Sequence, residues 1–79
     1  MNFCLMTNKA DNKILKTFGD NIRKYRLKQS ISQSQLAFEI NTTLRQIQRI
    51  EKGEYNAGIL YFIKIAEALN VDINKLSIS

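Results

Sequence analysis

A chain of 79 residues makes one domain, and with one cysteine (Cys4) and no histidine it can hold neither an internal disulfide nor a zinc site. So small a domain buries a small core and relies on efficient helix packing, a second chain, or both. Twelve Lys and Arg against seven Asp and Glu give +5, and residues 13–53 alone hold nine basic and three acidic residues, so a polyanion partner is best sought there.

Residues 1–12 carry a short apolar patch at Phe3 to Met6, then the polar run TNKADN. They have no basic leader and no long apolar run, so they read as a flexible N-terminal arm ahead of a domain over 13–79. No stretch approaches the roughly 20 apolar residues that span a bilayer. A protein without membrane contact is expected, and the lone thiol suggests a reducing, cytoplasmic setting.

With no proline and no sustained two-residue alternation, the periodicity is helical throughout. The first helix is expected over Lys13 to Gln29, where Leu15, Phe18, Ile22 and Tyr25 form an apolar stripe. Gly19 inside it reads as a weakness of about 1 kcal/mol relative to Ala. Ser32 is suited to cap a second helix, Gln33 to Ile40, with Leu36, Ala37 and Ile40 facing inward. Asn41 tolerates the left-handed backbone of a tight turn, and Thr43 is placed to cap a third helix that runs to Lys52 and stops at Gly53.

After the loop EYNAG, a fourth helix covers Ile59 to Leu69, with Ile59, Phe62, Ile65, Ala66 and Leu69 on one face. Asn70 ends it. A short fifth helix begins near Asp72, with Val71 and Leu76 packing back. Leu60, Ile63, Ile73 and Ile78 are apolar residues beyond what one buried face requires, and suggest a second protein surface.

The third helix carries the chemistry. At 100° per residue, Arg45, Gln48, Arg49 and Lys52 fall within an arc of roughly 100°, while Ile47 and Ile50 lie on the other side. Arg pairs with guanine O6 and N7, and Gln with adenine N6 and N7. A short helix, a three-residue turn and this second helix make the layout of a helix-turn-helix, whose second helix enters the major groove. With no histidine, no glycine-rich phosphate loop and no paired carboxylates on one face, neither an enzyme nor a cofactor is expected.

The segments SQ..LA at Ser32 to Ala37, I.RIEKG at Ile47 to Gly53, and IAEALNV at Ile65 to Val71 resemble the phage repressor and Cro-type (XRE-like) helix-turn-helix family. FGDNIRKYR at Phe18 to Arg26 extends the resemblance upstream. It implies a compact, all-α, five-helix, lambda-repressor-like domain that binds double-stranded DNA. It also implies base reading by Thr43, Leu44, Arg45, Gln48 and Arg49, and phosphate contacts from Ser32, Gln33, Lys52, Tyr55 and Asn56. Arg26 and Glu51 are implied to form a structural ion pair. Asn41 stands where a turn glycine is usual, and Ala57 where many members have proline.

The resulting expectation is a sequence-specific transcriptional regulator, a small phage-type repressor or restriction–modification controller, associated with a bacterial or phage nucleoid. A homodimer through Leu60, Ile63, Ile73 and Ile78 would bind a near-palindromic operator. The alternative is an antitoxin or interaction module that binds a toxin and autoregulates its promoter. A toxin or polymerase is the candidate protein partner.

Overall fold

The computed structural model describes residues 9–78. Five helices follow in order: α1 (Lys9–Lys28), α2 (Gln33–Glu39), α3 (Leu44–Glu51), α4 (Ile59–Ala68) and α5 (Ile73–Leu76). The described residues form no strand. No described helix is long and apolar enough to cross a membrane. The starts of α2 and α4 fall where expected, and the other helix boundaries shift by no more than four residues. α1 begins at Lys9, so residues 9–12 of the expected arm are helical; residues 1–8 of that arm lie outside the described residues.

Local chemistry explains the helix ends. Ser32 Oγ accepts from Gln35 N, Thr43 Oγ1 from Gln46 N, and Asp72 Oδ1 from Asn74 N, each satisfying an amide of a first helical turn. Four helices end on a residue with positive φ: Ser30 (57°), Asn41 (59°), Gly53 (73°) and Asn70 (57°). In each case the following amide reaches back to the last turn: Ile31 N to Arg26 O, Thr42 N to Ala37 O, Glu54 N to Arg49 O, and Val71 N to Ala66 O. Asn41 thus adopts the left-handed conformation that the usual turn glycine would supply.

The core is formed by Ile22 of α1, Leu36 of α2, Ile47 and Ile50 of α3, Ile65 of α4, the α4 cap Leu69, and Leu76 of α5, all fully buried. Phe18 and Phe62 meet at 4.6 Å in a tilted arrangement that ties α1 to α4. Asn21, also buried, donates from Nδ2 to Leu76 O at 2.8 Å and Ile78 O at 2.6 Å, fastening the C-terminal turn to α1.

Two apolar expectations are corrected. Periodicity puts Ile59 on the buried face of α4, but the residue is 62% exposed. It sits in the first turn, rotated some 60° from Phe62. Ile73, expected among the spare apolar residues, is half-buried and packs on the core. Leu60, Ile63 and Ile78 are exposed.

Candidate nucleic-acid interface

α3 divides into two faces. Ile47, Ile50 and Glu51 are buried. Arg45, Gln48, Arg49 and the cap residue Lys52 are exposed, and Gln46 is intermediate. Thr43 and Leu44 lie exposed at the amino end, with Thr43 Oγ1 already accepting the cap hydrogen bond. The helix therefore presents two guanidinium groups, a carboxamide and an ammonium to solvent from a rod held by isoleucines.

The rod is fixed to the body by an ion pair. Arg26 Nε donates to Glu51 Oε2 at 2.7 Å, and Arg26 Nη2 donates to Glu51 Oε1 at 3.1 Å. Arg26 Nη1 donates to Ile31 O at 2.9 Å. Both side chains are buried, and this fork geometry joins α1 to α3 at a set angle. No buried side-chain nitrogen or oxygen among the described residues lacks a partner.

Other residues named from the sequence take more particular positions. Gln33, half-buried, donates from Nε2 to Glu51 Oε1 at 3.0 Å, so one of its two amide hydrogens points into the ion pair instead of outward. Tyr55 is half-buried and packs on the core, with the Arg49 guanidinium 4.9 Å above its ring. That distance is within cation–π range, so Tyr55 acts here as a platform for Arg49. Asn56 Oδ1 accepts from Gly58 N at 3.1 Å, which shapes the entry to α4. Ser32 is exposed, with its hydroxyl oxygen accepting the α2 cap bond.

One cleft collects several of these side chains. Gln33, Gln48, Glu51 and Lys52 line it together with Lys16, Asp20 and Arg23 of α1. The α1 residues are not among those the sequence reading assigns to the site. Their spacing carries a signal all the same, because Lys13, Lys16, Asp20 and Arg23 recur at three and four residues on one helix face. Phe38 is a further residue that sequence reasoning does not single out: it stands 86% exposed on the outer side of α2.

Known proteins share this geometry. The helix-turn-helix family model matches residues 22–76. The restriction-modification controller protein C.AhdI from Aeromonas hydrophila is similar at 29% identity and a TM-score of 0.75, covering 78% of this chain and 94% of that one. A hypothetical transcription factor, NHTF, from Neisseria superposes with a TM-score of 0.78 at 23% identity, covering 82% of this chain and 75% of its own. The clp gene regulator ClgR from Corynebacterium glutamicum gives 0.77 at 14% identity, over 80% of this chain and 67% of that one. These last two likenesses speak to the fold alone. No curated protein matches the sequence. The family match spans α2, the turn and α3 together with most of the supporting core, and the chain belongs to the XRE-like helix-turn-helix family of phage repressor and Cro type.

Proposed function

We propose that this protein is a sequence-specific transcriptional regulator that lays α3 in the major groove of DNA as one half of a homodimer. The observation that carries the reading is the division of α3: Ile47 and Ile50 are buried while Arg45, Gln48 and Arg49 stand exposed on one side. Arg45 and Gln48 have the donor geometry to read base edges, and Arg49, steadied on Tyr55, reads a base or an adjacent phosphate. Leu44 is 42% exposed and suits a thymine methyl. Ser32, Lys52, Asn56 and the second amide hydrogen of Gln33 serve phosphates, which fix register without reading sequence. The likeness to a restriction-modification controller, over 94% of that chain, supports the regulator reading.

Selection of bound fragments from a random DNA pool tests the reading. Wild type should enrich one half-site, and Arg45→Ala and Arg49→Ala should each relax preference at separate positions by roughly 1–3 kcal/mol. Gln33→Ala should weaken all sequences alike. Enrichment of no sequence by the wild type would sink the regulator reading.

The dimer rests on α4. Ile59, Leu60 and Ile63 are 62%, 71% and 38% exposed, and by helical geometry they share an arc of about 100° away from the core. A twofold pairing would set two α3 helices roughly 34 Å apart, one turn of DNA. Leu60→Glu should convert a dimer to a monomer in sedimentation and abolish tight binding to a two-half-site operator. A wild type that sediments as a monomer at tens of micromolar refutes the pairing. The antitoxin-like reading draws on a different residue, the bare Phe38 of α2. It gains if Phe38→Ser leaves DNA selection intact but removes repression in cells.

A further inference from the structure

The cleft between α1 and the carboxyl end of α3 is a second electrostatic feature, distinct from the base-reading face. Lys13, Lys16, Asp20 and Arg23 lie within an arc of about 80° on α1. That arc borders Gly19, where α1 touches the last carbonyls of α3. Lys16 comes close enough to Gly53 that a Cβ added there would lie 2.9 Å from the Lys16 Cα. The stripe therefore runs beside Lys52 and Gln48, and Gln48 belongs both to this cleft and to the exposed face of α3.

Its charges are poorly balanced. Glu51 is buried and held by Arg26, which leaves Asp20 to offset Lys16, Arg23 and Lys52. Asp20 Oδ1 accepts from Lys16 Nζ at 3.0 Å, in a pair exposed on both sides. The side chains of Lys13, Arg23 and Lys52 have no hydrogen-bond or ion-pair partner among the described residues. By contrast, Lys24 and Lys28 lie over the Tyr25 ring. Exposed like charges converging on one cleft are tolerated in water because solvent and salt screen them. They gain most from an anion that several of them reach at once.

We propose that this cleft holds the sugar–phosphate backbone bordering the groove that α3 enters, with Lys16, Arg23 and Lys52 as phosphate ligands. Asp20 is a built-in competitor that occupies Lys16 and restrains sequence-independent binding. The proposal rests on the DNA-binding reading above and extends the DNA-facing surface from the helix-turn-helix onto α1. Each phosphate neutralised releases condensed counterions, so the cleft should be visible in the salt dependence of binding.

The test uses the full chain on its selected operator and on a scrambled duplex, with affinities measured from about 50 to 200 mM salt. Lys16→Gln with Arg23→Gln should lower the slope of log K against log salt by about 0.9 for each phosphate that is no longer neutralised, equally on both duplexes. Asp20→Asn should tighten both complexes several-fold at low salt, and Lys16→Gln should cancel that gain. Lys64→Gln with Lys75→Gln removes the same charge from exposed positions on α4 and α5, and should leave the slope unchanged. These positions are exposed, so the variants should fold like wild type by circular dichroism. An unchanged slope in the α1 pair, or an equal fall in the α4–α5 pair, overturns the inference. If wild type shows no preference between the duplexes while the α1 pair still lowers the slope, the regulator reading fails and the cleft stands.

Discussion

Glu51→Ala should remove a large share of the fold's stability. Glu51 is 6% exposed and Arg26 is 6% exposed, and together they make two charge-assisted hydrogen bonds. Removing the carboxylate strands a buried guanidinium, at a cost of about 3–5 kcal/mol. It also removes the acceptor of the Gln33 amide. A domain of this length is stable by only about 4–12 kcal/mol, so the variant should lose a large part of its helical signal, or unfold at much lower urea. Because the pair is buried, its contribution should change little with added salt, unlike that of the exposed Lys16–Asp20 pair. Arg26→Met combined with Glu51→Leu should recover much of the stability, since an apolar pair leaves no charge stranded. A urea midpoint for Glu51→Ala close to that of wild type would show that the pair does not hold α3 to α1.

What the sequence makes legible is what depends on near neighbours. Ser32, Thr43 and Asp72 cap because their oxygens meet amides two or three residues on, and Asn41 turns the chain because few other residues tolerate its φ. The two faces of α3 follow from helical spacing alone. The role of Arg26 and Glu51, 25 residues apart, is legible only through the family resemblance. The remainder depends on which helix lies against which. Gln33 bonds Glu51 across 18 residues, and Asn21 holds the backbone of Leu76 across 55. Neither residue type at such a distance carries a pattern. Tyr55 reads from sequence as a hydroxyl donor in a loop, but the chain brings its ring beneath Arg49. Ile73 looks surplus by count, and is drawn onto the core by the short α5. The cationic stripe on α1 is visible as spacing, yet its meaning comes from its neighbour: it flanks the carboxyl end of α3.

Gly19→Ala separates these two kinds of knowledge by the sign of its effect. On helix propensity alone, the change should stabilise α1 by about 1 kcal/mol. The packing predicts the reverse. A Cβ at this position would lie 2.5 Å from Glu51 O and 2.6 Å from Ile50 O. Those are backbone atoms at the end of α3, held by the Ile50 and Glu51 side chains, so they cannot turn aside as a flexible side chain would. The two helices must separate, and forced repacking of this kind costs about 1–3 kcal/mol, enough to exceed the propensity gain. The separation acts where Arg26 grips Glu51 and where Lys16 meets Gly53, so the orientation of α3 should suffer along with stability. Gly19→Ala is therefore expected to lower the urea midpoint and to weaken operator binding more than binding to a scrambled duplex. A midpoint above that of wild type would mean that α1 and α3 do not approach this closely, and that the angle of α3 is set elsewhere.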